Sequence, residues 1–210
     1  MRNILRYGGV AASVLLIVVG IGAIVVGFSG RHEVTTNLQR EAIVGTPDMT
    51  PSAIAREAKA AGLTNVSLPT CSVANESIDS GDEAKCFASY MRVHALEATG
   101  GKTYAQMPRF QGANGTPTND AEQAAKGPSG APLDNAARNV WVTETALSTA
   151  LNTSFFAQSV ALFAIVMGVA LLLIGIGFLL LTAGLLSGAP AIMRRRQQAG
   201  GSAPVTPAAR

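Results

Sequence analysis

The sequence predicts a mainly α-helical protein, in which a hairpin of two transmembrane helices carries a small disulfide-linked helical domain outside the cytoplasm. Three observations predict this fold. Two long stretches, Tyr7–Gly30 and Thr145–Met193, contain no charged residue. All thirteen acidic residues lie between Glu33 and Glu144, and the six arginines outside that window are accompanied by no acid. Both cysteines lie between the two uncharged stretches.

Each uncharged stretch contains a segment long enough to cross a bilayer. A transmembrane helix needs about 20 mostly apolar residues, and Gly9–Phe28 and Val160–Leu186 meet this requirement. We expect spans over residues 9–28 and 158–187, the second with enough length to tilt. A small-x-small pattern at residues 27–29 leaves a cleavable signal peptide as the alternative for the first span, although its apolar run exceeds the usual length of a signal sequence.

The arginines at the two ends predict the orientation. Two precede the first span and four follow the second: Arg2, Arg6, Arg194, Arg195, Arg196 and Arg210. Short flanks rich in arginine stay in the cytoplasm. We therefore expect a plasma-membrane protein with residues 1–8 and a disordered basic tail, residues 188–210, in the cytoplasm. Residues 31–155 would then be extracytoplasmic.

The basic balance of the chain does not indicate nucleic-acid binding. The formal net charge is +3. The terminal flanks supply all of this excess, because residues 31–155 hold ten basic and thirteen acidic residues. Basic residues placed in this way are the orientation signal of a membrane protein rather than a patch that contacts phosphates. We expect the lipid bilayer, and no nucleic acid, as a partner.

Two short helices are predicted in the extracytoplasmic domain, residues 29–157, after a polar connector over residues 31–43. The first has Thr50 as its N-cap, Pro51 as its first residue and Gly62 as its stop. The second covers residues 83–99 and ends at two glycines. Its expected apolar face consists of Phe87, Met91, His94 or Ala95, and Ala98.

The rest of the domain divides into a loop and a stalk. Residues 111–135 contain four Gly, three Pro and one large apolar residue, so we expect a flexible loop. Residues 136–157 contain no Gly or Pro and lead directly into the second span. We expect a helical stalk there, continuous with the span, with an apolar face formed mainly by Val140, Leu147 and Leu151, with Trp141 beside it.

Cys71 and Cys86 both lie in the segment expected outside the cytoplasm, where oxidation is permitted. A disulfide between them is the natural interpretation, and it would stabilise the domain by about 3 kcal/mol in the chain-entropy model. Two free thiols in a core are the alternative. Zinc binding is not indicated, because two thiols fifteen positions apart lack the close spacing of zinc sites.

Small residues recur at intervals of seven in both spans. They are Ser13, Gly20 and Gly27 in the first span and Ala161, Gly168, Gly175 and Thr182 in the second. Helices in lipid associate through such faces, because small side chains allow the backbones to approach closely. These residues favour an antiparallel hairpin. The alternative is that Gly and Ala are frequent in transmembrane helices without any packing role.

Five segments carry a resemblance to a known family. They are IVGTPDMTP (Ile43–Pro51), LPTCSVANE (Leu68–Glu76), CFASYMRVHALEATGG (Cys86–Gly101), TYAQM (Thr103–Met107) and ARNVWVTETALSTALNTSF (Ala137–Phe155). The chain resembles a family of small actinobacterial membrane proteins that often bear the name aromatic ring-opening dioxygenase. The resemblance implies a two-pass anchor with a small external domain. It assigns no catalytic residue, and we expect the name to be a misannotation.

The candidate chemistry of the chain is sparse. A non-haem iron centre of the ring-opening type needs two His and one carboxylate, and the chain has only His32 and His94. His94 and Glu97 are three residues apart on one helix and are the candidate metal ligands. The alternative is a partly buried, hydrogen-bonded histidine. An acidic group that does not match an EF-hand is expected to be a solvated loop: Glu76, Asp79, Asp82 and Glu83.

Two functions remain open at this level. The first is a non-enzymatic interaction or assembly subunit that binds another membrane or envelope protein and needs no cofactor. The alternative is a metal-dependent ring-opening dioxygenase, which depends on the resemblance and on His94 with Glu97. Neither span contains an ionisable residue, so the chain alone does not form a proton relay or a pump.

Overall fold

A computed structural model describes the backbone of residues 2–199 and the side chains of residues 7–183. Its helices are α1 (Arg2–Glu41), α2 (Pro51–Ala60), α3 (Gly81–Ala98) and α4 (Ala137–Ala199), with a 3₁₀ turn at Tyr104–Gln106. Among the described residues β pairing is limited to isolated bridges. The predicted mainly α class is confirmed.

The described residues form two compact units. One contains the chain up to Phe28 together with the residues from Leu162 onward, and the other is Ser29–Ala161. Helices α1 and α4 are both long and apolar enough to span a membrane. Only 11% of the most apolar window of each is buried, which distinguishes them from the core helices of a soluble protein.

In the first unit, α1 and α4 approach each other through glycines. A Cβ atom added at Gly20 would lie 2.7 Å from the carbonyl oxygen of Gly168 and 2.8 Å from the amide nitrogen of Leu172. A Cβ atom at Gly175 would lie 2.8 Å from the Ile17 side chain. Such distances exclude any side chain larger than hydrogen, so the two backbones are in contact at these positions.

The small residues singled out in the sequence are buried in the structure, except Thr182, which is half-buried. Within the first unit these are Ser13, Gly20, Gly27, Gly168 and Gly175. Ser13 donates its hydroxyl to the Gly9 carbonyl at 2.8 Å, which satisfies its polar group on the apolar helix. Ala161 belongs to the second unit, where its Cβ would be 3.3 Å from a Cβ added at Gly30. A spacing of seven therefore coincides with the buried side of each helix.

Helix α1 continues beyond its apolar stretch, and the predicted polar connector over residues 31–43 is wrong. The segment contains no Gly or Pro, and it is helical as far as Glu41. Val34 and Leu38, one turn apart, are buried in the core of the second unit. The helix ends where Ala42 adopts a φ of 48°. The charged residues of this segment lie on its exposed side. Their number made the whole segment look polar, although two of its residues belong to the core.

The predicted limits of α2 are confirmed. Thr50 accepts a hydrogen bond from the Ala53 amide at 3.2 Å, Pro51 is the first helical residue, and Gly62 follows the helix with a φ of +68°. This left-handed conformation is accessible to glycine at little cost. Helix α2 buries Ile54 and Ala58 and packs against α3.

Helix α3 begins two residues before the predicted start, because Ser80 and Glu83 form a capping box. The Glu83 carboxylate accepts from the Asp79 and Ser80 amides, both at 2.9 Å. Burial alone would raise the pKa of Glu83, but these hydrogen bonds hold it below its ordinary value.

The predicted apolar face of α3 is displaced: Ala98 is exposed, whereas Tyr90 and Val93 are almost completely buried. Helix α3 is covered on more than one side, so its burial does not follow a single stripe.

Helix α4 begins where the stalk was predicted. Asn135 caps it by accepting from the Ala137 amide at 3.1 Å, and donates to the Pro108 carbonyl at 2.9 Å. Trp141 is buried and donates its indole N–H to the Lys102 carbonyl at 2.8 Å.

Leu147, expected on the apolar face of α4, is instead 47% exposed. The buried stripe follows Trp141, Glu144 and Leu151, and Leu147 lies to its side.

Residues 111–135 fold back on themselves. Gln111 donates its amide to Leu133 and accepts from Ala125 through its carbonyl, at 2.9 and 2.8 Å. The predicted mobility of this loop stays a prediction.

Helix α4 continues to Ala199, so the predicted disorder of the tail disagrees with the structure over residues 188–199. Residues 200–210 lie outside the described residues.

We predict that Gly20→Ala separates α1 from α4 and lowers the free energy of unfolding of the full-length protein in detergent by about 1–3 kcal/mol. The added methyl group would overlap the Gly168 carbonyl. Gly22→Ala is the matched control, because nothing lies within 4 Å of a Cβ atom at Gly22. Equal effects of the two substitutions in a denaturation titration would show that the glycine contact does not stabilise the pair.

Candidate functional site

The candidate site lies where α3 faces α2 and the turn before it. His94 is on α3, Glu57 is on α2, and Asp48 is in the turn that precedes α2. The Nε2 atom of His94 is 3.1 Å from Asp48 Oδ2 and 3.7 Å from Glu57 Oε2. One donor atom from each of the three residues lies within 4.8 Å of the others. We call these three residues the His94 cluster.

Neighbouring backbone contacts position Asp48. The Met49 amide donates to the Thr46 carbonyl at 3.0 Å, and the Met49 carbonyl accepts from the Val73 amide at 3.2 Å. A hydrogen bond from the Thr46 side chain, assisted by the nearby His94, lowers the pKa of Asp48 below its ordinary value despite partial burial. Asp48 is therefore a carboxylate at neutral pH, anchored at the start of α2.

The imidazole of His94 is held without a satisfied hydrogen bond. Its side chain is 31% exposed, but the Nε2 atom itself is shielded from solvent. Within the described residues this nitrogen has no partner with acceptable hydrogen-bond geometry, although Asp48 Oδ2 is close. The carboxylate oxygens thus lie to the side of the ring N–H direction. The expectation of a partly buried histidine is correct, and its Nε2 lies beside two carboxylates without an aligned hydrogen bond to either.

The sequence predicts His94 and Glu97 as the candidate metal ligands, but the structure groups His94 with Asp48 and Glu57 instead. Glu97 is exposed on α3, and neither it nor His32, exposed on α1, belongs to the His94 cluster. A two-His, one-carboxylate iron set is therefore not assembled around His94. Sequence reasoning missed Asp48 and Glu57, since they reach His94 only through the packing of α2 on α3.

The predicted disulfide is confirmed. Cys71 and Cys86 are bonded with an S–S distance of 2.05 Å, which excludes the alternative of two free thiols. The bond joins the irregular segment before α3 to the second turn of that helix. Tyr90, one turn further along α3, donates its hydroxyl to the Cys71 carbonyl at 2.6 Å. Burial raises the pKa of Tyr90, so the hydroxyl stays a donor at any physiological pH.

A second surface feature is a cleft in the same unit. Its volume is about 320 Å³, and it lies between the end of α1 with the following residues and the segment before α3. Leu38, Ile43 and Ile78 give it an apolar floor. Val44, on its rim, is 55% exposed, although its backbone pairs with Ser77. The cleft is large enough for one or two side chains of another protein.

Comparison with protein-family models, with curated proteins and with solved structures gave no match. The family resemblance of the sequence therefore stays a prediction. Four features of the two units bear on function: the apolar helices paired through glycines, the disulfide, the His94 cluster and the cleft beside Val44.

We predict that Cys71 and Cys86 resist alkylation in native membranes until a reductant is added, as measured by the mass of the labelled protein. Replacing both with Ala should lower the free energy of unfolding by about 3 kcal/mol, because the unfolded chain loses its cross-link. The double variant avoids the single free thiol that one substitution would leave. Complete labelling of the unreduced protein would contradict the prediction.

Proposed function

We propose that this protein is a two-pass plasma-membrane protein and a non-enzymatic interaction or assembly subunit. Helices α1 and α4 form an antiparallel transmembrane hairpin, and residues 31–155 form an extracytoplasmic domain that binds another membrane or envelope protein. The bilayer accounts for the apolar residues that the two helices leave exposed, since so large an apolar surface is unstable in water. The disulfide suits an oxidising compartment.

The orientation is supported by charge. Arginines and no acids flank the two apolar helices at the chain ends, and short arginine-rich flanks stay inside. The contacts between the helices fit a hairpin, because Gly20 lies against Gly168 while Gly9 lies near Thr182. Positions earlier in α1 thus meet positions later in α4.

The observation that carries the interaction role is the cleft beside Val44, where an exposed apolar side chain stands on the rim of a partly apolar concave surface. Concave surfaces with an apolar floor and a few polar groups are preferred binding sites. Asp79 at its edge offers an acceptor to a polar group of the partner. We infer that an apolar side chain of the partner protein enters this cleft.

The topology is tested with reporters. An enzyme active only in the cytoplasm should be active when fused after Arg210, and one active only outside should be active when inserted at Gly127. Gly127 begins a turn closed by its own amide donating to the Ala131 carbonyl at 2.9 Å, a type of site that tolerates insertion. External activity of the fusion after Arg210 would contradict the orientation.

The interaction role is tested by placing a photo-crosslinking amino acid at Val44 and irradiating native membranes. We expect one discrete adduct with another protein, because Val44 would contact the partner directly. Leu133 is the matched control, being apolar and 41% exposed without lining the cleft. Absence of any adduct from Val44, or equal adducts from both positions, would overturn the proposal.

A further inference from the structure

We propose that Asp48, Glu57 and His94 bind one first-row transition-metal cation of the zinc class. The three donor atoms are the two carboxylate oxygens and the His94 Nε2, and they come from two helices and a turn. The inference does not depend on the partner-binding role, because it concerns a different surface of the same unit.

The distances suit a small cation. Zinc binds nitrogen and oxygen ligands at about 2.0–2.2 Å, which places tetrahedral ligand atoms about 3.3–3.5 Å apart. The distances from His94 Nε2 to the two carboxylates, 3.1 and 3.7 Å, lie on either side of that value. All three side chains are about one-third exposed, so small rotations can complete the geometry.

The direction of the imidazole nitrogen favours a metal over an ion pair. A protonated histidine that forms an ion pair directs its N–H at the carboxylate oxygen, but Nε2 has no aligned acceptor here. In a metal site the cation occupies the lone-pair direction of the nitrogen, and the other ligand oxygens lie off that axis. In the His94 cluster the carboxylate oxygens lie off the axis of the Nε2 lone pair, as they would in a metal site.

The composition of the cluster selects the class of cation. Calcium and magnesium take oxygen ligands, often with several waters, whereas an imidazole ligand suits zinc and its neighbours. Two carboxylates neutralise the charge of a divalent cation, and the partial exposure leaves room for a water as the fourth ligand. A bound cation would join the turn before α2, α2 itself and α3 through bonds that the unfolded chain cannot form.

The test uses the full-length protein in detergent, purified through a tag without histidines and treated with a chelator. Isothermal titration with ZnCl₂ at neutral pH should show one site per chain, and MgCl₂ should show none. Zinc should also raise the temperature of thermal unfolding, because it binds only the folded state.

Three variants identify the ligands: His94→Gln, Asp48→Asn and Glu57→Gln. Each should weaken zinc binding at least about tenfold. Two matched controls, Glu97→Gln on the same helix and His32→Gln on α1, should bind as the unaltered protein does. Circular dichroism checks that each variant is folded, and Glu57→Gln, at a half-buried position on α2, provides the test if His94→Gln fails to fold.

The proposal fails if the unaltered protein binds no stoichiometric zinc. It also fails if binding survives all three ligand substitutions, or if it is lost with His32→Gln, because the cation would then be held elsewhere in the chain.

Discussion

The double connection between Cys71 and α3 is the constraint on which the rest of the second unit depends. The disulfide attaches the irregular segment to Cys86, and the fully buried Tyr90 holds the same residue through its carbonyl. The surrounding core combines Val, Ile, Leu and Met side chains with three alanines, Ala58, Ala84 and Ala88. Each alanine buries little apolar area, which limits the stabilisation from burial at its position. The disulfide and the hydrogen bond from Tyr90 add to apolar burial at one point.

Contacts next to Cys71 also fix the position of the candidate site. Val73, two residues beyond Cys71, donates its amide to the Met49 carbonyl and is almost completely buried. Gly45 lies so close to the Val73 carbonyl that no Cβ atom could be accommodated. The turn that carries Asp48 is therefore held between the disulfide-linked segment and α2. The precise position of this carboxylate beside His94 is a consequence of packing around Val73.

The parts of the structure that could be predicted from the sequence are those specified by local chemistry. Thr50, Pro51 and Gly62 mark the ends of α2 because each residue type has a conformational preference at that position. The recurrence of Ser13, Gly20 and Gly27 marked the buried side of α1, since helix geometry alone brings residues seven apart to one side.

The parts that could not be predicted depend on contacts distant along the chain. Val34 and Leu38 lie among charged residues and are buried only in a tertiary cluster that also draws on α2, α3 and α4. The proximity of Asp48, Glu57 and His94 has no short-range signature, because no spacing or propensity relates a turn residue to a helix residue some fifty positions later. Leu147 was misplaced for the same reason: the neighbours that cover α4 determine which of its apolar residues are buried.

The single tryptophan of the chain has a further consequence. Trp141 is buried, its indole N–H is bonded to Lys102, and the Arg92 guanidinium lies 5.3 Å from its ring. The emission wavelength of an indole depends on the polarity around the ring, and its quenching depends on whether a quencher in solution can reach it. The intrinsic tryptophan fluorescence of the protein therefore reports the environment of this one side chain. No other indole contributes to the signal. The protein therefore carries its own optical label at the junction of α3 and α4, and loss of order there can be followed without any chemical modification.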